Sequence, residues 1–154
     1  RRAADRRVYP NHLDHIAAGG LPWDISLQDN LIKECWEEAA LPESVARQAR
    51  PVGVITYCGE SERGLRPDTI YCYDLELPPE VVPRCNDDEV AGFELWPIER
   101  VMETVEHSSQ FKLNCNLVII DFLIRHGLIG PEHPDYLELI AGMHAPHPGT
   151  RVAN

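Results

Sequence analysis

The chain has 154 residues, enough for one domain that buries roughly two thirds of its unfolded surface. A formal net charge of -11 argues against nucleic-acid backbones and anionic membranes as partners, and an anionic ligand would need local cations to approach it. Five scattered cysteines without a CxxC pair read as reduced thiols of a cytoplasmic protein rather than a disulfide frame or zinc site, and no apolar run reaches the roughly 18 residues that a bilayer demands. The first residue is not Met, so the stretch reads as a fragment that could carry a further N-terminal domain.

In chain order, residues 1–7 hold four arginines and form a basic N-terminal arm. It is either solvated or in contact with a substrate phosphate or a further domain. Val8 and Tyr9 ahead of Pro10 suggest a short strand, and residues 12–18 a second one leading into Gly19-Gly20. Ser26 is an N-cap with Asp29 three residues on, and neither Gly nor Pro interrupts residues 27–41, so a helix is expected there. At about 100° per residue, Leu31, Ile32, Cys35, Trp36 and Ala39 share one arc while Glu34, Glu37 and Glu38 gather on the other. Like charges three and four apart cost about 0.2–0.5 kcal/mol per pair when exposed. Either the face is simply solvated, or hard divalent cations neutralise it.

Pro42 should open a short helix through Gln48, and the β-branched, aromatic run 52–58 a central strand. A charged loop over 59–68 and a partner strand over 69–77 follow, with Ile70 and Cys72 facing one way and Tyr71 and Tyr73 the other. Three prolines stiffen 77–84, the Asn86-Asp87-Asp88-Glu89 cluster makes a turn or a ligand loop, and 92–96 is a strand ended by Pro97. Helices are expected over 98–107, over an almost wholly apolar 114–126 stopped by Gly127, and over 135–143, with 145–154 a tail. The seven histidines show no i, i+4 pairing and none is taken as a metal ligand. Strands with interspersed helices and one fully apolar helix indicate an α/β domain with a mixed sheet between helical layers.

The stretch Lys33-Glu34-Cys35-Trp36-Glu37-Glu38-Ala39-Ala40-Leu41, with paired glycines about one loop ahead, resembles the Nudix box: Gly, five residues, Glu, seven residues, then Arg-Glu-apolar-x-Glu-Glu-x-Gly-apolar. Three positions depart from it. The early Glu falls on Ile25 or Ser26, the Arg is Lys33, and the closing Gly is Ala40, which must avoid the left-handed conformation or bear strain of about 1 kcal/mol. Tyr57 to Asp68, Tyr73 to Pro78, Asp88 to Phe93, Phe111 to Cys115 and Asp121 to Gly127 extend the likeness over residues 9–139 to one Nudix subgroup, related to the Nudix domain of thiamine pyrophosphokinase fusions.

That resemblance implies a Nudix-type α/β/α sandwich with a central mixed β-sheet over residues 8–144. It also implies hydrolysis of an organic diphosphate, thiamine diphosphate or an oxidised analogue, to the monophosphate. Mg²⁺, or Mn²⁺ in its place, would sit on Glu34, Glu37, Glu38 and the Gly19 carbonyl, with Glu34 or Glu89 as general base and Arg63 or Arg66 on the phosphate. A homodimer is open as a further partner. The rival reading is a non-catalytic Nudix-fold module that binds a diphosphate or regulates a larger enzyme.

Overall fold

The computed structural model describes residues 1–61 and 64–146. The elements are α1 (Leu27–Ala39), α2 (Glu43–Ala46), β1 (Arg50–Ser61), β2 (Gly64–Asp74), α3 (Ile98–His107), α4 (Leu113–Arg125) and α5 (Tyr136–Met143). They fall into two compact units, one built from Arg1–Arg50 with Asp74–Cys115, the other from Pro51–Tyr73 with the chain from Asn116 onward. Among the described residues no helix is long and apolar enough to cross a membrane.

In the first unit α1 starts where the capping signal puts it. Ser26 is extended at ψ 155° and its hydroxyl accepts the Asp29 N–H at 3.0 Å, while its own proton goes to the Asp29 carboxylate at 2.6 Å. Leu31, Ile32, Cys35 and Ala39 of the apolar arc enter a core with Leu41, Ala46, Leu75, Leu77, Val81 and Phe93. Trp36, expected on the same arc, is instead about half exposed, at the edge of the stripe. The helix ends with Ala40 in the left-handed conformation, φ 52°, its N–H bonded to the Trp36 carbonyl and that of Leu41 to Cys35. The strained option is therefore the one taken. α3 has the expected half-buried Ile98, Val101, Met102 and Val105 against exposed Glu99, Arg100, Glu103 and Glu106.

Three expected strands of this unit do not form. Tyr9 and Asn11 take positive φ, 52° and 60°, which makes residues 9–12 a turn closed by the His12 N–H on the Tyr9 carbonyl. Within 12–18 only Leu13 pairs, in one parallel bridge with Phe111, and 92–96 is irregular. The arm, in turn, is built into the fold: Arg2 bridges antiparallel to Val90, Ala3 donates to the Glu89 carbonyl, and the terminal ammonium donates to Gly92.

In the second unit β1 and β2 form a two-stranded antiparallel sheet. The expected 59–68 loop is mostly strand, because its charges pair across and along the hairpin: the Tyr57 hydroxyl donates to Asp68 at 2.7 Å and Arg66 donates to the same carboxylate at 2.6 and 2.9 Å. Ile55, Cys72 and Met143 form the core, with Val52, Ile70, Leu117, Val118, Ile120 and Ile124 against it. Gly127, at φ 72°, closes the last turn of α4, its N–H on the Ile124 carbonyl.

Candidate active site

The acidic face of α1 lies against the backbone of the paired-glycine loop. The Glu34 carboxylate packs so closely on Gly19 that a Cβ added there would fall 2.0 Å from Glu34 Cδ. Glu38 Oε2 accepts the Ala18 N–H at 2.9 Å. Two of the three carboxylates thus rest on consecutive residues of one loop, and any side chain at 19 would displace the Glu34 carboxyl from its seat. Glu37 stands further out, 48% exposed, where Lys33 Nζ reaches it at 2.6 Å and also reaches Glu34 at 3.0 Å. Hydrogen bonds to Glu37 and then Glu34 raise the Lys33 pKa.

Glu38 sits among like charges. Burial pushes its carboxyl up to about 7, and Asp14, Glu34 and Asp87 add like-charge repulsion that the single Ala18 N–H does not offset. Near it lies a part-buried polar group centred on Asp14. Arg2 reaches Asp14 at 2.7 Å, Lys112 at 3.4 Å, and the Cys115 thiol at 3.0 Å. Burial would raise the Asp14 carboxyl, but the Cys115 thiol, Lys112 and Arg2 outweigh it and hold it below its usual range, while burial and Asp14 push the Cys115 thiol well up. His15, whose pKa burial lowers, leaves Nε2 without a hydrogen-bond partner. These contacts join residues up to 101 apart in sequence, which is why local spacing could not signal them.

Glu89 comes to the same place. It lines a cavity of about 20 Å³, room for one water, together with Arg1, Arg2, Asp14, His15, Glu38, Val90 and Phe93. Its own carboxylate is held by Arg6 at 2.7 Å, and its N–H by the Asp87 side chain at 2.9 Å, so the residue is both turn-former and cavity wall. Arg66 lies on β2 with its guanidinium on Asp68. Arg63 lies outside the described residues. All five cysteines are free thiols.

Whether this face suits a metal depends on its donors. Among the described residues no three His, Cys, Asp or Glu side chains are already gathered at metal-holding distance, and Lys33 supplies the cation for Glu34 and Glu37. Yet the donors are hard oxygens, and Glu38 is short of positive charge, which is the chemistry Mg²⁺ or Mn²⁺ satisfies. The residues fit such an ion once the exposed Lys33 side chain turns aside.

No family model matches the chain. It is 46% identical over 139 residues to Nudix hydrolase 20, chloroplastic, and 48% identical over 139 residues to Nudix hydrolase 24, chloroplastic, both of Arabidopsis thaliana, in each case over 90% of this chain. An uncharacterized protein of Saccharomyces cerevisiae is 35% identical over 157 residues, 94% of this chain. The chain spans 37% and 38% of the length of the two plant relatives and 46% of the yeast one. These likenesses support the Nudix family for this stretch.

Proposed function

We propose that this chain is the catalytic Nudix domain of a metal-dependent hydrolase that cleaves the phosphoanhydride bond of an organic diphosphate. The observation that carries the reading is the seating of Glu34 on Gly19 and Glu38 on the Ala18 N–H, with the Glu38 carboxyl raised to about 7 among Asp14, Glu34 and Asp87. Glu34, Glu37, Glu38 and the Gly19 carbonyl would hold Mg²⁺, or Mn²⁺ in its place, and such an ion would supply neutralisation of phosphate charge and a more acidic water. The loop's part is to orient: it fixes two carboxylates before any ligand arrives, so their geometry costs little at the moment of reaction. Glu34 or Glu89 takes the proton from the attacking water; Glu89, paired with Arg6 at 2.7 Å, lines the same cavity as Glu38.

The substrate proposed is thiamine diphosphate or an oxidised analogue, cleaved to the monophosphate, on the subgroup resemblance of the sequence. The fold proposed is the α/β/α sandwich with a central mixed sheet over residues 8–144. It is supported within the first unit by parallel pairing at Leu13 with Phe111 and antiparallel pairing at Arg2 with Val90, and within the second by the β1–β2 sheet. Free thiols support a reducing compartment for this chain, the cytoplasm or a plastid, the latter being what the names of the two plant relatives state for those proteins.

A screen of organic diphosphates, thiamine forms included, tests this directly. Mg²⁺-dependent release of a monophosphate, abolished in Glu37→Gln and Glu38→Gln chains that keep their far-ultraviolet circular dichroism, is the expected result. The double grip of Lys33 on Glu34 and Glu37 favours the second reading, a diphosphate-binding module without turnover. Tight binding with no product under the same conditions would establish that one instead.

A further inference from the structure

A cleft of about 320 Å³ in the first unit is lined by the N-terminal segment itself: Arg2, Asp5, Arg6, Arg7 and Val8, with Asp88 as a further wall. It shares Arg2 with the small cavity that Glu38 and Glu89 line, and Asp88 is the chain neighbour of Glu89. Three guanidinium groups thus stand beside the acidic site of a chain whose net charge is -11.

Their states differ. Arg2 is pinned on both sides, to Asp14 at 2.7 Å and to the Val8 carbonyl at 3.1 and 3.3 Å. Arg6 is held by Glu89 at 2.7 Å. Arg7 is exposed and, among the described residues, makes no side-chain hydrogen bond or ion pair. A guanidinium presents a planar fork that matches two phosphate oxygens, and one that needs no partner exchange before it binds gives up little on doing so.

We propose that this cleft is a phosphate subsite, in which Arg7 grips a phosphoryl group of the substrate while Arg2 and Arg6, fixed by their carboxylates, hold the segment in shape. The assignment rests on the hydrolase reading for its catalytic consequence, and on the cleft alone for the binding itself. Asp5 and Asp88 line the same walls, so the attraction is local to Arg7 rather than spread over the cleft. The ligand is the phosphoryl end of the proposed diphosphate, gripped by the Arg7 fork against the repulsion of those two carboxylates, and binding weakens with salt because the contact is exposed.

The test pairs metal-free calorimetric titration of inorganic pyrophosphate with steady-state kinetics on the best organic diphosphate of the screen. It uses wild type, Arg7→Ala, Arg7→Lys and, as control, Arg47→Ala at the exposed C-cap of α2. The expected result is an Arg7→Ala chain with pyrophosphate affinity lowered about tenfold, KM raised by the same factor and kcat within about twofold. Arg7→Lys should recover part of the loss, and Arg47→Ala should behave as wild type. The subsite is overturned if wild type does not bind pyrophosphate, if Arg7→Ala binds it as wild type does, or if only kcat falls. If no organic diphosphate is hydrolysed while pyrophosphate binding remains and depends on Arg7, the subsite stands and the hydrolase reading is the one that fails.

Discussion

The first unit carries two charge clusters that solve their electrostatics in opposite ways. The arginines of the N-terminal segment are mostly neutralised from within: Arg1 by Glu94, Arg2 by Asp14 and Arg6 by Glu89, with Arg7 left over. The carboxylates of α1 are not. Among the described residues one lysine serves Glu34 and Glu37, and Glu38 faces Asp14, Glu34 and Asp87 with the Ala18 N–H in compensation. A cluster satisfied internally is structure, and it has made a strand-like seam of what would otherwise be a loose arm. A cluster left short of opposite charge, yet fixed in place by glycine packing, is poised for a ligand that brings the missing charge.

The strongest way to break that contrast is to remove the fixing rather than the charge. A Gly19→Ala chain places a Cβ where the Glu34 carboxyl lies, and because that carboxyl is the far end of a flexible side chain it can swing away at little cost to the fold. Thermal stability should stay within a few degrees of wild type while metal-dependent hydrolysis falls about 100-fold, the scale of a catalytic group misplaced by about an ångström. Full activity in that variant would show that the seating of Glu34 is packing alone.

The second prediction concerns Glu38 in metal-free protein. Its carboxyl stands at about 7 in the fold against 4.5 as its ordinary value. With the folded pKa raised, its stabilising contribution is fully present below about pH 4.5 and lost as pH rises through 7. Chemical denaturation in EDTA should therefore show wild type losing on the order of 2 kcal/mol between pH 4 and pH 8 relative to Glu38→Gln, after discounting for solvent screening of a side chain about a third exposed. Saturating Mg²⁺ should recover most of the loss in wild type alone. A wild-type minus variant difference that is flat with pH would remove Glu38 from the unsatisfied cluster.

What made these clusters legible in advance was local chemistry. The Ser26 cap, the uninterrupted run behind it and the 3.6-residue spacing placed α1 and put Glu34, Glu37 and Glu38 on one side, and the missing box glycine pointed to Ala40, which does take the left-handed conformation. What stayed hidden was long-range. Nothing near Glu38 in sequence announces the Ala18 N–H twenty residues back or Asp14 beyond it, and the arm's pairing with residues 89–92 is a contact across most of the first unit. The apolar and aromatic residues of 12–18 and 92–96 suggest strands because such residues report which side chains are buried, not whether a neighbouring backbone continues the ladder past one bridge. In the hairpin the error ran the other way, since charges that suggested a loop are paired within the strands through Asp68.

Ala40 offers a control that alters stability without touching charge. At φ 52° and ψ 30° a glycine loses the steric penalty that Ala bears, so Ala40→Gly should raise stability by about 1 kcal/mol, a shift of roughly 2–4 °C in the thermal midpoint for a chain of this size. Hydrolysis and Mg²⁺ dependence should not change. If they did, the end of α1 would be coupled to the carboxylate face, and the contrast drawn above would have to include backbone strain.

The smallest expected effect isolates the one cation the acidic face supplies for itself. Lys33 competes with any metal for Glu34 and Glu37, yet its ammonium is exposed and on a flexible stem, so little holds it there beyond the attraction itself. Lys33→Met should lower the Mg²⁺ concentration for half-maximal activity by about threefold with kcat nearly unchanged, because the competitor is gone and the like charges it screened now favour the metal. Lys33→Arg should act oppositely, its planar fork holding the carboxylates more firmly in the metal-free state and raising the Mg²⁺ requirement. A Lys33→Met chain that needs more metal, not less, would mean that Lys33 orients Glu34 and Glu37 for the ion. The acidic face would then share with the arginine segment the internal bracing that otherwise distinguishes the two.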